Sequence, residues 1–430
     1  MPGVGAAAGA ARGVRALLRR FAAYLEQGWG FGALVAPLRD ARPRPQIPTA
    51  TVWLAAFTLF VLRVPSFHAL EQDFRRPWRW ARWFAGRPPS ADTLGRGLAG
   101  LALPELRALL AVVHRRAWRR KTIHRRPGEP YRVVAVDGHE LWASQARCCP
   151  QCLQREVRVK DARRVEYYHR VVVAQWVGVT PPAILDVERI RPGEGEVVAA
   201  RRLVARVLQT YGRLVDVITA DALYLEAPFI EAVLAAGQHV VIVLKQEARE
   251  LYQDAEGLRA LVAPQVLQEP TRTTRLWDLP ALTSFPTLGR PVRVVWAEEH
   301  TVTPRVIGGQ RQRVEEDHRW IWVTDLPADL VPATTIQRWG HARWDLETRG
   351  FGELTMHWHL DHCFIHDVVA MEALLLTLAL AFLMTYLFYA RRLKPAARRH
   401  LTRAALAVRL REDLIQLAGA GIWPAVQRSD

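Results

Sequence analysis

The sequence predicts an α/β protein in which a helical region precedes a mixed β-sheet. Between residues 15 and 125, apolar residues recur at three- and four-residue spacing, which is typical of amphipathic helices. From Tyr131 onward, short β-branched runs and helical segments follow one another in the order three strands, helix, strand, helix, strand. The chain has 430 residues and four cysteines, so it can bury a substantial core and does not rely on a disulfide framework.

The helical region contains one short segment with a clear start signal. In "RPPSADTLGRGL", residues 87–98, prolines precede Ser90, a predicted N-cap, and Arg96 lies one turn inside the helix that follows. This pattern is typical of the second helix of a helix-turn-helix, whose amino-terminal end enters the major groove of DNA. Arg96 is therefore a candidate base-reading residue, although capped short helices without this role are common.

A dense basic run, "HRRAWRRKTIHRR", occupies residues 114–126. It predicts a linker or helix end that contacts phosphates through Arg119, Arg120 and Lys121, and a solvated helix face is the alternative. The whole chain has 59 Lys+Arg against 42 Asp+Glu, a formal net charge of +17. Such an excess indicates a polyanionic partner, with nucleic acid as the first candidate and an anionic membrane surface as the second.

The predicted sheet begins with "YRVVAVDGHEL", a β-branched run that ends at Asp137. The segments "YYHRVVVAQWVGV" and "AILDVERIRP" provide two further strands, which can pair as hairpins. An amphipathic helix in "GEGEVVAARRLVARVLQTYG" then leads to "LVDVITADALYL", an apolar strand that ends at Asp221. A helix in "APFIEAVLAAG" and a strand in "HVVIVLK" follow, so crossover helices connect the later strands.

A less regular, β-rich region follows, with strands in "PVRVVWAEEHTV" and "RWIWVTDLP" on either side of the turn-rich "PRVIGGQRQ". It precedes the helical segment that carries Glu347. The apolar stretch "ALLLTLALAFLMTYLFYA", residues 373–390, is interpreted as a helix buried against the sheet, and a single membrane anchor is the alternative. No signal peptide is recognisable, so the cytoplasm is the expected compartment, without a membrane partner.

Three carboxylates in this order can meet at one site. Asp137 and Asp221 each follow an apolar strand, at the sheet edge where ligands bind in open α/β folds. Turn aspartates are also common, and Asp-Gly is a frequent turn pair. Three converging carboxylates, with Glu347 as the third, repel one another unless cations lie between them, so the cluster implies metal. Two magnesium ions can activate a water or a 3′-hydroxyl and stabilise the leaving oxygen of a phosphodiester.

The strand order and the carboxylates of "VAVDGHEL", "ITADALYL" and "RWDLETRGFGEL" resemble the DDE transposases of bacterial insertion sequences. The resemblance covers about residues 131–390 and implies a ribonuclease H-like catalytic domain with a β-rich insertion before the glutamate. It also implies DNA cleavage and strand transfer with magnesium or manganese, and a triad of Asp137, Asp221 and Glu347. Double-stranded DNA at the element ends and target would be the partner, bound by a homodimer in a synaptic complex.

Many such enzymes carry a motif around the glutamate: tyrosine, two residues, arginine, three residues, glutamate, six residues, lysine. Arg343 matches the arginine, and it could bind phosphate or orient the carboxylate of Glu347. Gly340 occupies the tyrosine position and Leu354 the lysine position, so half of the motif is present. Arg343 and Lys245 complete the candidate DNA contacts.

The chain also carries the ligand types of a structural zinc site. "CCPQC" supplies Cys149 and Cys152, and "DHCFIH" supplies His362 and His366, whose rings would face one way on a helix. The two halves lie far apart in the sequence. Zinc binding would require the loop after the Asp137 strand to fold back onto the segment after Glu347. Cys148 and Cys363 are possible substitutes, and packing of the same residues without metal is the alternative.

These patterns predict five consecutive regions. They are a helical DNA-binding region with a basic linker (1–126), the first part of the catalytic domain (127–250), the β-rich insertion (251–330), the catalytic-domain helices carrying Glu347 (331–395) and a basic C-terminal helix or tail (396–430). The predicted function is that of a metal-dependent DNA transposase. A catalytically inactive DNA-binding protein derived from a transposase, or a membrane-anchored basic protein, is the alternative.

Overall fold

The computed structural model describes residues 17–75, 87–159, 162–247 and 249–416. The ends of the first and last predicted regions, residues 1–16 and 417–430, lie outside the described residues. The described strands are β1 (His124–Arg125), β2 (Val133–Ser144), β3 (Leu153–Val159), β4 (Ala162–Val177), β5 (Val179–Thr180), β6 (Ala183–Arg189), β7 (Val217–Ala220), β8 (His239–Val243), β9 (Gln265–Glu269), β10 (Arg272–Leu282), β11 (Val292–Ile307) and β12 (Gln310–Thr324). The described helices are α1 (Leu17–Trp29), α2 (Phe31–Val35), α3 (Thr49–Val61), α4 (Phe67–Phe74), α5 (Ala91–Ala99), α6 (Leu103–Arg119), α7 (Glu196–Tyr211), α8 (Ala227–Ala235), α9 (Glu250–Arg259), α10 (Ala333–Ala342), α11 (Glu353–Trp358), α12 (Val368–Arg392), α13 (Pro395–His400) and α14 (Arg403–Gln416).

A mixed sheet forms the centre of the protein. Its strand order is β3-β4-β2-β7-β8-β12-β11-β10-β9, and β6 pairs with the second half of β4. β2, β7 and β8 are parallel, whereas β4 is antiparallel to β2 and β6 is antiparallel to β4. With α7 before β7 and α8 before β8, this is the predicted order, and the mixed α/β class is confirmed. β3 was not predicted, because "LQREVRV" is charged, and it pairs with the exposed first half of β4.

Strand β2 continues beyond Asp137 to Ser144, so the prediction that Asp137 ends its strand is wrong. It is the buried part of β2 that stops at this point, since Val133 to Val136 are buried and Asp137 to Glu140 are partly exposed. The strand continues because β4 pairs with it along almost its whole length and satisfies its backbone groups. Asp137 therefore lies where a continuous strand leaves the core.

The β-rich insertion extends the central sheet. After α9, its strands β9 to β12 form an antiparallel series, and β12 pairs with β8 at Trp322 and Val243. The β11–β12 hairpin turns at Gly308 and Gly309, whose φ angles of 58° and 81° favour glycine. The rest of the segment predicted as turn-rich is strand, so β11 and β12 are longer than their apolar cores indicate.

Helix α12 is the apolar stretch that the sequence analysis assigned to the core. It starts at an N-cap, Asp367, whose carboxylate accepts hydrogen bonds from the amides of Val369 and Ala370 at 3.0 and 2.9 Å. Its length and composition would suffice to cross a membrane, but 83% of its most apolar window is buried inside the protein. It packs against α3, α5, α6 and β6, which confirms the core interpretation.

Buried charges connect the amino-terminal helices to the sheet. Arg107 of α6 donates to Asp186 of β6 at 2.9 Å and also to Glu372 of α12. Arg206 of α7 donates to Asp186 at 2.5 Å and to Glu188 at 2.7 Å. Because these carboxylates are buried, loss of one arginine would leave an uncompensated charge in the interior.

His114, within the basic run, is fully buried between α6 and the sheet. Its Nδ1 lies 2.9 Å from the hydroxyl of Tyr211, which donates to the carbonyl of Leu185 at 3.1 Å. Burial lowers the pKa of His114 to about 3. The neutral imidazole is therefore part of the fold, and this turn of α6 is not a solvated helix face.

We expect His114 to make the protein less stable in acid. Its folded pKa of about 3 lies below the ordinary value of 6.5, so the unfolded chain takes up the proton first and stability falls below about pH 6.5. Between pH 7 and pH 5 this contributes about 2 kcal/mol to the loss of unfolding free energy. Urea unfolding at several pH values measures this loss of unfolding free energy.

His114→Gln should remove that part of the pH dependence, whatever its effect on stability at pH 7. The matched control is His68→Gln, since His68 is exposed on α4 and should leave the wild-type dependence intact. An unchanged pH dependence in the His114→Gln protein would contradict the assignment.

Candidate active site

The central sheet places Asp137 and Asp221 next to each other. β2 and β7 are parallel neighbours, and Val136 pairs with Ala220, so each aspartate directly follows a paired residue. Neighbouring strands lie about 4.8 Å apart, which brings the two residues to adjacent positions at the same sheet edge. β7 ends before Asp221, as predicted, and the Asp221 carboxylate caps a short 3₁₀ turn, Ala222–Tyr224.

Glu347 lies in a π-helical segment, Leu346–Gly352, that follows α10. The segment is fixed on β4, because the Gln175 side chain donates to the Asp345 carbonyl at 3.3 Å and the Gly178 amide donates to the Asp345 carboxylate at 3.1 Å. A Cβ at Gly350 would lie 2.7 Å from Oε1 of Gln175, so only glycine permits this approach. π-Helical turns are frequent at functional sites.

Arg343 joins the first and third carboxylates. Its Nη1 donates to Oδ2 of Asp137 and to Oε1 of Glu347, both at 2.7 Å. The Arg343 side chain is 6% exposed, so this contact is made inside the protein. Burial raises the pKa of Asp137 to about 6, and Arg343 opposes that rise. The geometry favours the carboxylate-orienting role of Arg343 over a surface contact with phosphate.

Lys245, just beyond β8, neutralises the second aspartate. Its Nζ lies 3.2 Å from both carboxylate oxygens of Asp221. With Arg343 and Lys245 in these positions, Asp137, Asp221 and Glu347 do not all lie within 4.8 Å of one another in the described chain. Carboxylate oxygens are nevertheless the ligands that magnesium and manganese prefer, so the donor set fits such an ion.

A fourth carboxylate, Glu196, lies beside the site and was not predicted. It begins α7 and accepts a hydrogen bond from the Tyr224 hydroxyl at 2.8 Å, while an Arg170 nitrogen lies 2.7 Å from its other oxygen. A Cβ at Gly138 would lie 2.2 Å from this carboxylate. Gly138 is therefore a close-approach residue within β2, and the Asp-Gly pair is not a turn. The only sequence signal for Glu196 is its place in the first helical turn.

The two departures from the glutamate motif are explained by packing. A Cβ at Gly340 would lie 2.0 Å from Nε1 of Trp322, so a tyrosine has no space at this position. Leu354, at the lysine position, is buried with 1% of its surface exposed. Both positions contribute to the core, and they do not present a side chain to DNA.

The remaining candidate DNA contacts lie on the amino-terminal helices. The side chain of Ser90 accepts a hydrogen bond from the Thr93 amide at 3.2 Å, so the predicted N-cap of α5 is confirmed. Arg96 is exposed and lines a concavity of about 630 Å³. Four further arginines line the same concavity, namely Arg42, Arg44, Arg75 and Arg87.

The basic run at the end of α6 is only partly available for phosphate. Arg119 and Lys121 are exposed. The guanidinium of Arg120 donates to the Gly28 carbonyl and lies 5.1 Å from the centre of the Trp29 ring, so it is partly engaged within the protein.

Three of the four predicted zinc ligands come together. Cys149, Cys152 and His366 lie in one cluster, and its fourth member is His169 of β4. His362 lies outside it, with its ring 4.5 Å from that of Phe364. The expectation that His362 and His366 share a helix is wrong, because residues 359–367 are not helical. His169 was missed because it lies in a strand, 17 residues after Cys152, with no second histidine beside it to suggest a metal ligand.

We expect Gly340→Ala to destabilise the protein by about 1–3 kcal/mol, because the added methyl group overlaps the buried Trp322 ring. Thermal or urea unfolding measures the loss. Gly257→Ala is the matched control: Gly257 lies in the exposed face of α9 with open space around it, so alanine should be neutral or slightly stabilising. Equal stability of the two variants would contradict the packing argument.

Residues 180–384 match the family model described as a transposase DDE domain, a range that includes Asp221 and Glu347. Asp137 precedes the matched range, and its assignment depends on the pairing of β2 with β7. No curated protein matches the chain. Residues 180–384 therefore carry a transposase DDE domain, and the mixed α/β sheet is consistent with a ribonuclease H-like fold.

Proposed function

We propose that the protein cuts and joins phosphodiester bonds at the ends of a bacterial insertion sequence, with Asp137, Asp221 and Glu347 as its metal-binding triad. The observation that carries this proposal is the juxtaposition of two aspartates on neighbouring parallel strands with a glutamate joined to the first of them through Arg343. The family provides transposition on DNA as the general reaction class. The assignment of Asp137, Asp221 and Glu347 as the triad, and its dependence on metal, are part of this proposal.

Magnesium or manganese is the cation that this oxygen donor set would bind. Such ions would activate the attacking oxygen and stabilise the leaving oxygen of the phosphodiester. Arg343 and Lys245 pair with these carboxylates and neutralise part of their charge. When the carboxylates bind cations, Lys245 becomes available for the phosphate of the bound DNA, which is its proposed role as a DNA contact, whereas Arg343 orients the carboxylates of Asp137 and Glu347.

Residues 1–126 are proposed to bind the element ends. The support is the concavity that Arg96 shares with four other arginines, since guanidinium groups bind phosphate and guanine in planar, bidentate geometry. Arg96 is the proposed base reader, and Arg119, Arg120 and Lys121 are proposed phosphate contacts. Paired cleavage of two ends requires a homodimer or larger synaptic complex, acting in the cytoplasm on the nucleoid.

Replacing any member of the triad should abolish cleavage. We expect Asp137→Asn, Asp221→Asn and Glu347→Gln each to reduce cleavage of DNA carrying the element ends by about a thousandfold, because loss of a ligand removes several kcal/mol of charge stabilisation. Cleavage is measured on gels with magnesium or manganese, and binding by mobility shift in chelator. Binding should be largely unchanged.

Asp317→Asn is the control for the triad, because Asp317 is highly exposed on the β11–β12 hairpin and should keep full activity. Full cleavage by one triad variant would remove that residue from the site. Full cleavage in chelator would contradict the metal mechanism. An inactive wild-type chain that still binds element ends would favour the catalytically inactive DNA-binding protein.

The DNA contacts can be separated by their salt dependence. Arg96→Ala should weaken the binding free energy for element ends by about 1–3 kcal/mol and should change the binding of unrelated DNA little. Arg119→Ala and Lys121→Ala should weaken binding to element ends and to unrelated DNA alike. Each should reduce the magnitude of the slope of log K against log salt concentration, the salt slope, by about 0.9. The full-length chain is required, because α3, α5 and α6 pack against α12.

Arg275→Ala is the control for the DNA contacts, since Arg275 is exposed on the insertion. It should change neither the affinity for element ends nor the salt slope. An equal loss on element ends and unrelated DNA in the Arg96→Ala protein would exclude Arg96 as a base reader.

A further inference from the structure

A second group of potential metal ligands lies at the far end of the β2–β4 pair. Cys149 and Cys152 lie between β2 and β3, His169 lies on β4 and His366 lies just before α12. His169 pairs with Trp142, and Asp137 pairs with Val173. His169 lies four positions from Val173 on β4, so the cluster is about 14 Å along the strand from Asp137 and forms a separate site.

Five of the six distances within the cluster are close to those of a tetrahedron around one ion, and the sixth, between Cys149 and His366, is within 4.8 Å. The sulfur atoms of Cys149 and Cys152 are 3.7 Å apart, and Nε2 of His169 lies 3.6 and 3.3 Å from them. Nε2 of His366 lies 3.3 Å from Sγ of Cys152 and 3.4 Å from Nε2 of His169. Tetrahedral zinc with its usual bond lengths gives edges of about 3.8 Å for S–S, 3.6 Å for S–N and 3.3 Å for N–N. The observed S–S, S–N and N–N distances are therefore all close to the tetrahedral values.

The cysteine pair has the local geometry of a metal-binding turn. The Cys152 amide donates to the Cys149 carbonyl at 3.1 Å, and the Cys149 amide donates to Sγ of Cys152 at 3.3 Å. The 3.7 Å between the sulfurs is far beyond the length of about 2.05 Å of a disulfide bond. The two thiols are therefore free and point to the same side.

The histidines face the cysteines inside the protein. His169 is fully buried and Cys152 is 4% exposed. The other ring nitrogen of His169, Nδ1, is buried and has no hydrogen-bond partner among the described residues. Trp142 packs against the rings of His169 and His366, at 5.4 and 4.6 Å between ring centres. Nε2 of His169 is thus held towards the two thiols and His366.

We propose that Cys149, Cys152, His169 and His366 bind one structural zinc ion. Two thiolates and two imidazoles in tetrahedral arrangement favour zinc over the hard cations of the triad, and four protein ligands leave no open position for catalysis. His169 takes the place that the sequence analysis gave to His362. The site does not depend on the transposase reaction.

The ion would connect three separate parts of the chain. It joins the β2–β3 loop and β4 to the segment that leads from Glu347 to α12. A second contact holds the same segment, because Nε2 of His139 on β2 lies 2.8 Å from Oδ1 of Asp361. The zinc site would therefore help to fix the Glu347 segment on the strand that carries Asp137.

Elemental analysis of the purified full-length protein should find about one zinc per chain. Cys149→Ser, His169→Gln and His366→Gln should each lose the ion and lower the melting temperature. Cys148→Ser, His362→Gln and Cys363→Ser should retain it, as matched controls of the same residue types. Asp137→Asn should also retain it, which separates this site from the triad.

Cobalt substitution provides a test that does not need a ligand variant to fold. Wild-type protein stripped with a chelator should take up one cobalt ion and show the visible absorption of a tetrahedral thiolate site, and added zinc should abolish it. Folded wild-type protein that contains no zinc and takes up neither metal would overturn the proposal. Loss of zinc in His362→Gln together with retention in His169→Gln would overturn the ligand set.

Discussion

The pairing of β2 with β4 is the constraint on which the arrangement of the site depends. β4 accompanies β2 out of the core, and this lets one rigid strand carry functional groups at several levels. Asp137 lies where the strand leaves the core, and the Glu196 carboxylate of α7 packs closely against Gly138. The His139 ring stacks on the Phe351 ring, with 4.3 Å between the ring centres. Further along, Trp142 packs against the cysteine–histidine cluster. Without β4, the outer part of β2 would lack backbone partners and could not hold these groups in register.

The second constraint is electrostatic. A chain with a formal net charge of +17 brings several carboxylates to one sheet edge and balances them with its own cations. Arg343 is shared by Asp137 and Glu347, Lys245 pairs with Asp221, and Arg170 lies beside Glu196. These pairings relieve the mutual repulsion of the carboxylates.

The amino-terminal helices are integrated with the catalytic sheet. α3, α5 and α6 cover α12, and Arg107 and His114 of α6 contact polar groups of the sheet and its helices. The amino-terminal helices and the helix that follows the Glu347 segment therefore share one hydrophobic core.

Features that depend on neighbouring residues could be predicted from the amino-acid sequence. Apolar β-branched runs specified β2, β7 and β8, helical periodicity specified α7, a continuous apolar stretch specified α12, and capping residues such as Ser90 marked helix starts. The order of these elements together with Asp221 and Glu347 was enough to indicate the fold class and the family, which the matched transposase domain supports. Each of these signals lies within a few residues along the chain.

Contacts between side chains that are distant in sequence could not be predicted in this way, because they depend on how the strands and helices pack. The extension of β2 depends on its pairing with β4. Glycine is needed at position 340 because the Trp322 ring packs against it. The role of Arg343 depends on two carboxylates, those of Asp137 and Glu347, which come from different elements. Spacing along the chain favoured His362 as a partner of His366. The strand pairing instead brings His169 to Cys149 and Cys152, because positions on neighbouring strands are set by hydrogen-bond register and not by separation in sequence.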